Sequence, residues 1–183
     1  IFIEELPHAT QCGHIACLEL DEQLNILSKK IVLERPYHLS YPFLFVYDGQ
    51  MYMMPETKAN RAIELYRCVH FPDKWEFEKT LMPNVKAVDA TLIDTDGKWW
   101  LFVNIEEEGG SSWDTLYLFF ADNPLTDQWI SHPRNPIVKN VNIARPAGYI
   151  LVRNGTLIRP SQDCSVRYGY ATNFNQITVL NEA

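Results

Sequence analysis

Three polar residues recur at the same distance from a glycine. Each lies seven positions after the glycine of an Asp-Gly or Asn-Gly pair, and they are Glu56, Asn104 and Gln162. Carboxylate and amide side chains bind sugar hydroxyls and, in the case of carboxylates, also move protons in catalysis. The repeat therefore predicts equivalent structural units that each place one polar side chain at the same point.

Other polar residues lie just before the apolar run that precedes each turn, or just after the run that follows it. We predict Glu56, Asp89 and Asp163 as catalytic carboxyls and His38, Tyr41, Asn104, Arg145 and Gln162 as substrate-binding residues. Carboxylates that converge on a narrow channel perturb one another's pKa values, which suits acid and base roles. Two such groups flanking a sugar are what glycoside cleavage requires.

Several of these residues also fit a purely structural role. Glu56 fits a solvated loop acid, and Asp89 fits a residue that caps the start of a strand. His38 fits a satisfied core histidine, and Arg145 fits a buried clamp between sheets. Asp163 fits an ion pair with a nearby arginine.

The elements that must position these side chains are β-hairpins. An Asp-Gly or Asn-Gly pair between two β-rich runs predicts a type I′ turn, because both central residues need a positive φ. Third apolar runs follow at Ala62–Cys68, Thr115–Phe120 and Val166–Thr172, and fourth runs carry Trp75 and Trp129. Four antiparallel strands in about 50 residues are typical of a β-propeller blade.

We therefore predict an all-β fold, a β-propeller of four-stranded antiparallel blades that this chain contains incompletely. The expected parts are 1–36 (the outer part of one blade) and blades at 37–83, 84–140 and 141–183. Within 1–36, Gly13–Leu20 and Ile26–Leu33 read as strands, although Leu20, Leu24, Leu27 and Ile31 also fit one face of a helix. The start of the first strand and the end of the second should meet at one rim of each blade.

Composition excludes several classes of protein. The net charge of −7 over 183 residues disfavours binding to nucleic acid. No apolar run approaches the ~20 residues of a membrane span. The four cysteines are predicted to be free thiols, and we expect no metal site and no cofactor. The compartment stays open, with the cytoplasm preferred.

Several short strings resemble one domain family. They are His38-Leu-Ser-Tyr-Pro-Phe, Met54-Pro-Glu-Thr, Ala87-Val-Asp-Ala-Thr-Leu, Ala144-Arg-Pro-Ala-Gly and Arg159-Pro-Ser-Gln-Asp-Cys, with Tyr168-Gly-Tyr. They resemble the N-terminal propeller of glucosamine inositolphosphorylceramide transferase-like proteins, a domain similar to the five-bladed propellers of family 43 glycoside hydrolases. The resemblance implies a carbohydrate-related function and a possible fused transferase domain. It also implies that Asp89 tunes a general acid.

Two main hypotheses of function follow. The first is a glycosidase-like site at the propeller channel, with Glu56 and Asp163 as acid and base. The second is a non-catalytic module that recognises a glycan or a nucleotide sugar for a neighbouring transferase domain. A purely structural interaction platform is a third, because a fold by itself does not specify a function.

Overall fold

The computed structural model describes all residues from Ile1 to Ala183. The chain forms two compact units, Ile1–Pro83 and Asn84–Ala183. Apart from one 3-10 turn at Lys58–Asn60, the regular structure is entirely β. Helices long and apolar enough to cross a lipid bilayer are absent.

The first unit contains two antiparallel sheets. The three-stranded sheet, in the order β1-β2-β3, consists of Phe2–Glu5, His14–Leu20 and Ile26–Leu33. The four-stranded sheet, in the order β4-β5-β6-β7, consists of Ser40–Tyr47, Gln50–Glu56, Ala62–His70 and Lys74–Pro83. A shared core holds this unit together, and it includes Ile15, Leu33, Leu39, Met53, Tyr66 and Trp75.

The second unit also contains two antiparallel sheets. Its first sheet consists of β8 to β12, at Ala87–Thr95, Lys98–Ile105, Thr115–Ala121, Ile130–Ser131 and Val138–Lys139. Its second sheet, in the order β13-β14-β15, consists of Leu151–Arg153, Thr156–Asp163 and Ala171–Ile177. The core that joins them includes Trp100, Phe102, Leu116, Leu118, Phe120 and Ala144.

All three predicted hairpin turns are confirmed. Asp48, Asp96 and Asn154 have φ values of 48°, 55° and 50°. The glycines that follow them have φ values of 74°, 79° and 75°. Asp and Asn tolerate this left-handed region better than other residues with side chains, and glycine enters it without a steric penalty.

Two strand predictions in the second unit were wrong in position. The third run of the last hairpin was expected at Val166–Thr172, but the strand there is β15, Ala171–Ile177. The Asp163 carboxylate accepts hydrogen bonds from Ser165 N at 2.9 Å and Ser165 Oγ at 2.6 Å, and Gly169 has a φ of 68°. These features make Ser165–Tyr170 a turn, so the strand begins later.

The fourth strand expected around Trp129 is divided into two short pieces. β11 pairs with β10 through Ser131 and Ile130, whereas β12 pairs with it through Lys139 and Val138. Pro133 and Pro136 lie between the two pieces. Proline has no N–H to donate to a ladder, so a continuous strand cannot form there.

Candidate functional site

The second unit brings together three of the predicted site residues. Arg145 Nε donates a hydrogen bond to Asp89 Oδ2 at 2.6 Å, and Gln162 Nε2 donates to the same oxygen at 2.9 Å. Gln162 Nε2 also lies 3.0 Å from the carbonyl oxygen of Pro146. Asp89 is only 3% exposed and Arg145 only 7%. The result is a buried, charge-balanced pair that a neutral amide holds in place.

The backbone of each hairpin explains why these side chains meet. Strand β8 pairs with β9 so that Val88 lies opposite Asn104. In the last sheet, Pro146 forms an isolated bridge with Ser161, and Gln162 N donates to Arg145 O at 2.8 Å. As predicted, the start of the first strand therefore meets the end of the second strand within each of these hairpins.

Asp89 lies in a β-bulge. The register of β8 against β9 shifts between Val88 and Thr91, and Asp89 has a φ of 52°. Tyr41 occupies the same position in the first unit, with a φ of 43° within a register shift of β4. Bulges redirect side chains and are frequent beside functional sites. The sequence signal for this bulge is spacing alone, since both residues precede their turn glycine by eight positions.

An aromatic pair adjoins the buried ion pair. The Arg145 guanidinium lies over the ring of Tyr168, 5.0 Å from its centroid. The ring of Tyr168 lies 6.2 Å from that of Trp113, at an angle of 35°. Tyr168 is 55% exposed, so an aromatic surface faces solvent beside Arg145. The predicted site residues did not include Tyr168.

Asn104 is completely buried at the rim end of β9. Its Nδ2 donates to the carbonyl oxygen of Ser112 at 3.3 Å, in the loop that leads to Trp113. Its Oδ1 is buried as well and accepts no hydrogen bond. Asn104 is thus connected both to the aromatic pair and, through Val88, to the bulge of Asp89.

Asp163 lies outside this hydrogen-bonded group. Neighbouring residues of a strand point to opposite faces, so Asp163 and Gln162 project away from each other. Hydrogen bonds from Ser165 lower the pKa of the Asp163 carboxyl below its usual value, and a bond from Asn142 contributes to the same shift. Its catalytic role stays a prediction.

In the first unit, Glu56 is half-buried and lies opposite Ser40 in the pairing of β4 with β5. His38 Nδ1 accepts a hydrogen bond from Gly13 N at 2.9 Å, and its Nε2 lies 3.3 Å from Glu4 Oε1. His38 therefore links the start of β4 to the residues before β2. Tyr41 is half-buried in the bulge described above.

Sequence reasoning missed a buried carboxylate in the first unit. Glu64, 4% exposed, accepts hydrogen bonds from the hydroxyls of Tyr37 at 2.7 Å and Tyr66 at 2.5 Å. Asn60 Nδ2 donates to its second oxygen at 2.5 Å. Burial is the main reason why the pKa of the Tyr66 hydroxyl is raised. Glu64 lies in the mostly apolar run AIELYRC, where its single negative charge was the one available signal.

The structure contains no group of three or more His, Cys, Asp or Glu side chains placed to hold a metal ion. All four cysteines are free thiols, and burial raises the pKa of Cys68 and Cys164.

The whole chain, residues 1–183, matches the model of the family described as "Glucosamine inositolphosphorylceramide transferase 1, N-terminal". The chain belongs to this family. It is 34% identical over 186 residues to glucosamine inositolphosphorylceramide transferase 1 of Oryza sativa subsp. japonica, and 32% identical to the protein of that name from Arabidopsis thaliana. Each alignment covers 100% of this chain but only 25% or 24% of the relative. The chain thus spans about a quarter of the length of these relatives.

Solved structures show the fold. A family 117 glycoside hydrolase of Zobellia galactanivorans is similar with a TM-score of 0.64 and 16% identity, over 93% of this chain and 57% of that chain. A thermostable family 43 glycoside hydrolase is similar with a TM-score of 0.59 and 12% identity, over 98% of this chain and 72% of that chain. The fold of this family member is therefore all-β and like that of β-propeller glycoside hydrolases.

Proposed function

We propose that this family member is a carbohydrate-recognition module of a longer transferase, and that it binds sugar at the rim of its second unit. The observation that carries the proposal is the buried pair of Asp89 and Arg145, held by Gln162 beside the exposed ring of Tyr168. Burying two charges costs several kcal/mol per ion before their attraction is counted, so such a pair is weak evidence for a stabilising role. Polar groups fixed on strands next to an aromatic face are instead typical of a ligand site.

The identity of the relatives narrows the sugars to be tested. The relatives are named for glucosamine, and a similar solved structure, an exo-β-1,3-galactanase of Phanerochaete chrysosporium, contains β-1,3-galactotriose. Glucosamine and β-1,3-linked galactose are therefore the first candidate ligands. In this arrangement a sugar ring would place its C–H face on the exposed ring of Tyr168, with its hydroxyls beside Arg145.

The test is a calorimetric titration of the protein with glucosamine, methyl β-galactoside and β-1,3-galactotriose. We expect one of them to bind, and Gln162→Leu to weaken that binding about tenfold, through the loss of about 1.4 kcal/mol of hydrogen bonding. Gln128→Leu is the matched control, because Gln128 lies in an exposed loop and should leave affinity unchanged. The proposal would be contradicted if the protein bound none of these sugars, or if the two variants lost the same amount of sugar affinity.

Glycoside hydrolysis is the second candidate function, and the similarity of the fold to family 43 and family 117 glycoside hydrolases supports it. A carboxyl that stays ionised suits the base, so Asp163 is the proposed base, and Asp89 in the same unit is the group proposed to tune the acid. An inverting enzyme needs its acid and base roughly 6.5–9.5 Å apart. Asp163→Asn should then abolish turnover of aryl glycosides while circular dichroism stays unchanged. Sugar binding without turnover by the unaltered protein would reject this candidate and retain the first.

A further inference from the structure

The amide of Asn104 has an acceptor that nothing in the chain uses. The residue is 0% exposed, and its Nδ2 is engaged by the carbonyl of Ser112, yet Oδ1 accepts no hydrogen bond. Buried polar atoms in folded proteins nearly always have a partner, and each exception calls for an explanation. A missing donor from outside the chain is one such explanation.

The position of Asn104 indicates where that donor comes from. Asn104 bonds the carbonyl of Ser112, and the next residue in the chain, Trp113, contacts Tyr168. Tyr168 in turn contacts Arg145, the ion-pair partner of Asp89. Val88, the neighbour of Asp89, lies opposite Asn104 in the sheet. The unused acceptor therefore belongs to the same group of residues as the proposed sugar site.

We infer that Asn104 Oδ1 is the specificity-determining acceptor for one hydroxyl of the bound sugar, an inference that rests on the function proposed above. An amide oxygen takes a donor and repels anionic groups such as carboxylate or phosphate. A sugar hydroxyl is a neutral donor, and the ring of the sugar can meanwhile lie against Tyr168. The acceptor is closed to solvent, so a sugar hydroxyl can reach it only if the adjoining loop at 106–114, which contains Gly109 and Gly110, moves.

This arrangement separates the effect of a substitution on stability from its effect on binding. Asn104→Leu keeps the approximate volume, gives up the long 3.3 Å bond to Ser112 and removes a buried acceptor that has no donor. The melting temperature of the ligand-free protein should therefore stay the same or rise. The affinity for sugar should fall about tenfold.

Asn135→Leu is the matched control. Asn135 Oδ1 accepts from Leu118 N at 2.8 Å, and its Nδ2 donates to Leu118 O at 2.6 Å, so both ends of this amide are used. Its replacement should lower the melting temperature and leave sugar affinity unchanged. A fall in melting temperature for Asn104→Leu as large as that for Asn135→Leu would show that Asn104 has only a structural role.

The closing experiment uses the methyl glycosides of glucosamine and galactose together with their monodeoxy analogues. We expect one deoxy analogue to bind the unaltered protein about tenfold more weakly than its parent sugar does. The Asn104→Leu variant should bind that analogue and its parent sugar with the same affinity. If removal of the hydroxyl lowered the affinity of both proteins equally, or if Asn104→Leu bound the parent sugar as tightly as the unaltered protein does, this inference alone would be overturned. No binding of either parent sugar by the unaltered protein would overturn the proposed function as well. Asn104→Ala replaces the leucine variant if the latter does not fold.

Discussion

At the scale of the residue, the charge of Asp89 is the feature that the site depends on most. Its left-handed backbone suits Asn equally well, so Asp89→Asn changes the charge without straining the chain. The buried ion pair of Asp89 with Arg145 would then be broken, at a cost of about 3–5 kcal/mol of unfolding free energy. Urea unfolding measures this cost, and the double variant Asp89→Asn/Arg145→Met should recover much of it.

The control for this change is Asp122→Asn. Asp122 pairs with Lys98 at 2.6 Å, but its side chain is 86% exposed, and surface pairs contribute about 0–1 kcal/mol. Equal costs for the two asparagine variants would show that the buried pair does not depend on the Asp89 charge.

At the scale of the element, Gly13 fixes how the residues before β2 approach the residues before β4. A Cβ at this position would lie 2.6 Å from Leu39 O and 2.7 Å from His38 Cε1. Gly13 also exchanges backbone and side-chain hydrogen bonds with the same two residues. We expect Gly13→Ala to destabilise the protein by about 1–3 kcal/mol through overpacking, measured by urea unfolding.

Ser28→Ala, a change on the exposed strand β3, serves for comparison and should stay within about 0.5 kcal/mol of the unaltered protein. If Gly13→Ala were as mild as Ser28→Ala, the close approach of these segments would not matter for stability.

At the scale of the whole molecule, the net charge of −7 predicts that the protein does not bind DNA. Sequence-independent binding to DNA comes from lysine and arginine that neutralise phosphates, and acids outnumber these residues here. Fluorescence anisotropy of a labelled DNA duplex should therefore not change on addition of the protein at pH 7 and about 0.15 M salt. A salt-dependent rise in anisotropy would contradict this expectation and would reveal a basic surface that the net charge conceals.

Much of the local structure was predictable from the sequence. The three Asx-Gly turns, the strands Gly13–Leu20 and Ile26–Leu33 and the runs after the first two hairpins all appear at or near their predicted places. The strand after the third hairpin begins later than the predicted run Val166–Thr172. The reason is that the Asp163 side chain accepts hydrogen bonds from Ser165 and thereby caps a turn at this point. Likewise, the alternation of polar and apolar residues did not show that Tyr41 and Asp89 lie in bulges.

The sequence by itself determined the hairpins, because turn geometry depends on the φ preferences of two adjacent residues. It also indicated Asp89, Arg145 and Gln162, through their distances from the turn glycines. Only the tertiary structure decided that Arg145 bonds Asp89 across 56 residues and Gln162 bonds it across 73, beside the ring of Tyr168. It likewise decided that Asn104 has an unused acceptor. Such contacts follow from the way in which separate strands pack and bury their side chains, and no local preference of the chain specifies that packing.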